Sequence, residues 1–176
     1  IDNHAAGFDA TQHLIQQGCR NIVHISGSLK RNVYADRFDG YQRALHKNGI
    51  EFNKENLYES DLSIENVQKF VERIRDSKHK VDGIFVSNDT FAVHCIKELK
   101  KEGYKIPEDI KIIGFNNDPV SEVISPNLST IEYPGYKMGM LAGQSIISHL
   151  SGSINIQSAD QILIKHKLII RESTKI

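Results

Sequence analysis

The feature that most restricts this chain is a repeated change of hydrophobic period. Short β-branched runs alternate with stretches whose apolar residues recur every three or four positions. The strand-like runs are 21–26 (Asn-Ile-Val-His-Ile-Ser), 57–60, 83–87 (Gly-Ile-Phe-Val-Ser) and 110–115 (Ile-Lys-Ile-Ile-Gly-Phe). Helical spacing covers 3–17, where Asn3 can cap and Ala6, Ala10 and Leu14 share a face before Gly18. It returns over 35–48 with Phe38, Tyr41 and Leu45 before Gly49, and again after Ser63, a candidate cap, with Val67, Phe70, Val71 and Ile74. A fourth helix is predicted over 90–102, with Phe91, Cys95, Ile96 and Leu99 on one side and Gly103 at its end. Strands separated by one-sided helices of this length join by right-handed crossovers, so the fold class is α/β with a doubly wound parallel sheet. After Phe115 the pattern changes to a polar loop over 116–119, a short helical turn and an extended stretch over 128–133. A long helix follows over 136–149, with Met138, Leu141, Ala142, Ser145 and Ile146 along one face. A small polar linker over 151–158 leads to one or two closing strands within 162–170.

Composition removes several function classes. The 22 Lys and Arg balance the 22 Asp and Glu, so the chain lacks the basic excess that drives non-specific nucleic-acid binding. Its apolar runs are about four to six residues, against the ~20 of a membrane helix, and nothing at its start reads as a secretion signal. Cys19 and Cys95 lie far apart without CxxC spacing, which argues against a disulfide framework or a thiolate metal site. The expectation is a cytoplasmic, soluble domain without metal, cofactor or membrane contact. Ile1 without a preceding Met reads as the start of a piece excised from a longer protein.

In an open parallel sheet, ligands bind outside the carboxyl ends of the strands. The residues there are Ser26-Gly27-Ser28, Asp61-Leu62-Ser63, Ser87-Asn88-Asp89 and Phe115-Asn116-Asn117-Asp118. Amides, hydroxyls and a few carboxylates suit a neutral polyhydroxylated ligand better than a phosphate. Catalytic alternatives fare poorly. Ser26 is followed by Gly27, but His24 occupies the first glycine position of a nucleophile elbow; the glycine-rich phosphate and dinucleotide loops are absent, and the histidines are scattered. His24 in mid-strand and His94 in mid-helix read as packed or surface residues, and Asn88-Asp89 reads first as a helix cap. The chain is not expected to be an enzyme.

A series of short matches then narrows the class. Asp2-Asn3-His4-Ala5-Ala6-Gly7 and His13-Leu14 through Gly18-Cys19-Arg20-Asn21-Ile22 resemble the opening of the second lobe of the effector core in the lactose-repressor (LacI/GalR) family, with Cys19 where a His is usual. Ile25-Ser26-Gly27 is similar to its I-x-G, and Arg37-Phe38-Asp39-Gly40-Tyr41 to its R-x-x-G-[YW]. Ser87-Asn88-Asp89 is similar to its A-N-D, and Pro107-Glu108-Asp109-Ile110 with Ile113-Gly114-Phe115 to its P-E-D-[IV] and G-[FY]. Pro126 through Ile131 resembles P-x-L-T-T-[IV], and Arg171-Glu172-Ser173 its terminal R-E-S. The matches run in family order along almost the whole chain.

The resemblance implies a periplasmic-binding-protein-like fold serving as the sensory core of a bacterial transcription repressor. Such proteins are homodimers that reach operator DNA through an N-terminal helix-turn-helix, a segment that would precede Ile1, and that respond to a small molecule, often a sugar, held between two lobes. Residues 1–132 and 159–176 would form the second lobe, and 133–158 a crossover helix belonging to the first. Arg37, Asn88 and Asn116 match effector contacts, with Asp61 and Leu62 beside them; Leu62 stands where some relatives place an aromatic platform. Asn116 replaces a usual Asp, so the ligand is expected to depart from a simple aldose or to carry an acceptor, such as an acidic sugar. By analogy, Phe91, His94, Val120 and Glu122 would contribute to a dimer interface. The crossover helix, lacking its lobe, is expected to pack on another copy or to lose order. A solute-binding protein of a sugar transporter, which shares the fold, is the alternative.

Overall fold

Apolar runs without alternation belong to strands covered on both faces, and the computed structural model, which describes residues 1–77, 79–153 and 162–175, places them so. Helix α1 (Asn3–Gln16) leads into β1 (Ile22–Ser26), α2 (Asn32–Lys47), β2 (Leu57–Glu59), α3 (Glu65–Arg75), β3 (Gly83–Val86), α4 (Asp89–Lys101) and β4 (Lys111–Asn116). Then come α5 (Val120–Val123), β5 (Ser129–Glu132), α6 (Gly135–Leu150) and β6 (Lys167–Ile169). The sheet order is β2-β1-β3-β4-β5-β6. Pairing is parallel from β2 to β5, and β6 runs antiparallel to β5.

Alternation along each strand divides the core in two. Ile22, Phe85, Ile113, Phe115 and Ile131 face α1 and α2, joining Ala6, Ala10, Leu14, Tyr41 and Leu45. Val23, Ile25, Ile84, Val86 and Ile112 face α3 and α4, joining Phe70, Val71, Phe91, Ile96 and Leu99. Helices α1 and α2 lie against each other because glycine permits it. A side chain at Gly7 would overlap the Arg37 backbone, and one at Gly40 would overlap the His4 carbonyl. The glycine of the R-x-x-G match therefore seats the helix that carries Arg37.

Several local expectations are corrected. The N-cap of α1 is Asp2, whose carboxylate accepts the Ala5 N–H, while Asn3 is already helical. Helix α2 starts at Asn32 rather than 35, because the Arg31 carbonyl accepts the Tyr34 and Ala35 amides. Ser63 does not cap α3: the cap position is Ile64 without a side-chain bond, and the Ser63 hydroxyl accepts from the Asn66 amide. Within 162–170 there is one closing strand, β6. The linker over 151–158 is described only to Ser153, where it turns; 154–158, and the expected boundary at 159, lie outside the described residues.

Helix α6 is regular and has no buried residue. Tyr136, Ile147 and Leu150 are 89%, 69% and 79% exposed. No helix among the described residues is long and apolar enough to cross a membrane.

Candidate functional site

Because the chain runs outward from β1 to β2 and then returns to β3 beside β1, the topological switch point lies between β1 and β3. In open α/β sheets that is where a crevice forms at the strand carboxyl ends. The register aligns Ile25 with Val86, so Ser26 and Ser87 follow side by side on the α1/α2 face, two residues beyond His24 and Phe85. Helix α2 sets Arg37 over them.

Arg37 is 5% exposed, and its guanidinium carbon sits 3.6 Å from the Phe115 ring centroid. Its Nε donates to Asn3 Oδ1 at 2.9 Å and one terminal nitrogen to the Ser87 carbonyl at 3.3 Å. Burial pushes its pKa down to about 10, with Tyr34, Tyr133 and Asp36 acting in the other direction, so it stays charged at neutral pH. Among the described residues no carboxylate lies within 4.0 Å of it. A buried guanidinium without a counter-charge retains its preference for an acceptor. Ser26 Oγ, Ser87 Oγ and His24 Nε2 on the same face are buried and without a partner among the described residues. The His24 ring stacks on Phe85 at 4.5 Å, and its Nδ1 lies 3.1 Å from the Phe85 carbonyl, which makes Nδ1 the donor and Nε2 a bare acceptor. Burial holds the ring neutral by pushing its pKa to about 3.

Arg37 thus touches the residues that immediately precede Asn88 and Asn116, and the three meet at one end of the sheet. Their side chains have different occupations. Asn88 Oδ1 accepts the Phe91 N–H at 3.0 Å and caps α4. Asn116, half-buried, donates to Asp118 Oδ2 at 3.3 Å from a backbone with φ of 121°. Asp61 is exposed and faces a cleft of about 550 Å³ that Gly27, Ser28, Arg31, Tyr34 and Glu59 also line. Its carboxylate accepts from the Ser63 amide and from Asn66, bonds that hold it below the usual carboxylate range. Leu62, at a φ of 59°, packs against the α3/α4 core and offers no platform to that cleft.

The aromatic group beside the cleft is Tyr34, absent from the sequence-based candidates. Its ring lies against Gly27, with the Arg31 and Arg37 guanidiniums 5.5 and 5.6 Å from its centroid. The available signal was its position three residues before Arg37, which puts both on one helix face. Tyr133, 36% exposed, is tied to the end of β4, its amide donating to the Asn116 carbonyl at 3.2 Å. A separate cleft of about 500 Å³ opens near the amino ends of β1 and β3, beside Arg20, Asn21, Asn56 and Arg73. Of the interface residues suggested by analogy, Glu122 is exposed and His94 and Val120 are half-buried, whereas Phe91 is 1% exposed and belongs to the core. Among the described residues no three His, Cys, Asp or Glu side chains are grouped so as to hold a metal.

Comparison with known proteins identifies the family of the fold. The periplasmic binding protein-like domain family matches residues 11–174. Catabolite control protein A of Priestia megaterium is 31% identical over 178 residues, covering 99% of this chain and 52% of that protein. The crystal structure of the transcription regulator CcpA of Lactococcus lactis superposes with a TM-score of 0.90 at 31% identity, over 99% of this chain and 63% of that one. The complex of the transcriptional regulator CelR with cellobiose gives a TM-score of 0.89 at 25% identity, over 98% of this chain and 52% of that one. The chain therefore spans about half the length of the relatives it matches. On sequence and fold together, it belongs to the periplasmic binding protein-like domain family, in the form that LacI-family transcriptional regulators carry.

Proposed function

We propose that this chain is the C-terminal lobe of the effector core of a LacI-type regulator, and that it binds a sugar or sugar derivative at the β1/β3 switch point. Ligand binding there would modulate operator affinity through a helix-turn-helix elsewhere in the full-length homodimer. The observation that carries the reading is Arg37: buried, stacked on Phe115 and without an ion-pair partner among the described residues, beside unpartnered serine hydroxyls. A hydroxylated ligand with an acceptor would satisfy the guanidinium, and the Tyr34 ring would cover its apolar face. Asn116, which both donates and accepts, suits a ligand bearing an acidic group better than the usual carboxylate would. Matched relatives are named as transcriptional regulators or repressors, which favours this reading over a transport solute-binder, and one structural neighbour is a complex with cellobiose, which supports a sugar ligand. Helix α6 would pack on the other lobe, which accounts for its exposed apolar side chains.

A thermal-shift screen of mono- and oligosaccharides, cellobiose included, against the full-length regulator tests the proposal. A stabilising ligand is expected, and Arg37→Ala is expected to abolish its shift while remaining folded; an undiminished shift would contradict the assignment. Asn116→Asp is expected to weaken that ligand in calorimetry, and unchanged or tighter binding would argue against an acidic or acceptor-bearing effector.

A further inference from the structure

Asn116, the last residue of β4, and Asn117 after it both hold positive φ, 121° and 61°, a conformation that non-glycine residues adopt only when held. The restraint comes from two sides. On one side Arg171 donates to Asn117 Oδ1 at 2.8 Å while also reaching the Leu128 carbonyl and Glu122. On the other is Asp89, the first residue of α4. Its Oδ2 accepts the Asp118 N–H at 2.8 Å and its Oδ1 accepts the Thr130 hydroxyl at 2.7 Å. Thr130 Oγ1 in turn accepts the Asn117 N–H at 3.3 Å. Asp89 is 0% exposed, and glycine at 114 is what makes room for it, since a Cβ there would overlap Oδ1.

We propose that Asp89 is a positioning residue for the ligand site, clamping the Asn116–Asp118 loop through Asp118 and Thr130 so that Asn116 is presented at the strand end. That the loop matters to a ligand rests on the function proposed above; the clamp itself does not. A helix cap needs only Asn88, which already accepts from Phe91, so the cap does not explain a second, fully buried carboxylate directed at another loop.

The clamp carries a pH signature. Burial raises the Asp89 pKa to about 6, although the bonds from Thr130, Asp118 and the Phe115 backbone pull the other way. Asp118 is the ionisable group facing it from the loop; β4 and β5 present Gly114, Phe115 and Thr130, none of which titrates. On protonation the bond from the Asp118 amide changes from charge-assisted to neutral, and such bonds are roughly half as strong.

The test uses amide NMR and hydrogen exchange on the chain, and needs no ligand. In the wild type the Asp118 amide shift is expected to titrate with one inflection near pH 6, shared with the Asp89 carboxyl carbon. Asp89→Asn is expected to remove that inflection. Asp89→Ala and Thr130→Val are expected to lower Asp118 amide protection by about tenfold or more, with Thr130→Ser restoring it. Phe91 and the β3 amides should keep their protection, which separates loss of the clamp from loss of the fold. If Asp89→Ala does not fold, the Thr130 pair decides. An Asp118 amide that titrates and exchanges identically in wild type, Asp89→Asn and Thr130→Val would overturn the proposal, whatever the outcome of the ligand screen.

Discussion

His24 illustrates how one side chain can define the acid limit of this fold. Its ring is stacked among Phe38, Tyr41 and Phe85, and burial lowers its pKa from 6.5 to about 3. The folded state therefore binds fewer protons than the unfolded chain between those values, so stability falls as pH drops from about 6.5 towards 3. At pH 5 the loss is about 2 kcal/mol. Asp89 has the opposite sign: its raised pKa favours the folded state as pH falls from about 6 to 3.8, opposing part of the His24 effect. His24→Phe is expected to flatten the pH dependence of urea midpoints between pH 7 and 5; an unchanged slope would show that the histidine does not carry it. At this scale the sequence is only partly informative. His24 as a packed residue and Arg37 as a site residue follow from position in a strand and from a motif. Asn3 is ambiguous in sequence, because the same residue type caps a helix or, one position later, holds an arginine, and only the α1/α2 approach decides between them. Leu62 and Tyr34 exchanged roles for a similar reason: a left-handed backbone at Leu62 turns its side chain to the core, which no spacing reveals.

At the scale of elements, β4 shows why one motif serves two purposes. Ile112 and Ile113 fill opposite cores, Phe115 supports Arg37, and Gly114 leaves space for the Asp89 carboxylate. Gly114→Ala would press a methyl group against Asp89 Oδ1 and bring Leu128 Cδ2 to 2.9 Å. Such overpacking at a buried site costs about 1–3 kcal/mol, plus the broken clamp. Chemical denaturation is expected to show this loss, with part of it recovered in the double variant Gly114→Ala, Asp89→Ala; a neutral single substitution would contradict the packing described. The strands and the one-sided helices were legible because burial on one or two faces writes itself into sequence period. Helix starts were not: α2 begins a turn early on backbone bonds to Arg31, and α3 begins after Asp61 has already taken the Ser63 amide, interactions with no periodic trace.

For the molecule as a whole, strand order decides where chemistry can occur, and α6 marks what the chain requires beyond itself. Tyr136, Ile147 and Leu150 expose large apolar surfaces that isolated soluble chains rarely tolerate. Light scattering on the chain is expected to give a mass that rises with concentration, and Ile147→Lys with Leu150→Lys to return it to a monomer. A monodisperse wild-type monomer that retains the helix would contradict this. The parallel sheet followed from alternation and right-handed crossovers, whereas the strand order and the unpartnered state of Arg37 emerged only from three-dimensional packing. The most direct test of the central claim is a crystal structure of the full-length regulator with the carbohydrate that stabilises it most. The account predicts the ligand over the β1/β3 carboxyl ends, hydrogen-bonded to Arg37 and within reach of Asn116; a ligand seated instead in the cleft by Arg20 and Arg73 would contradict it.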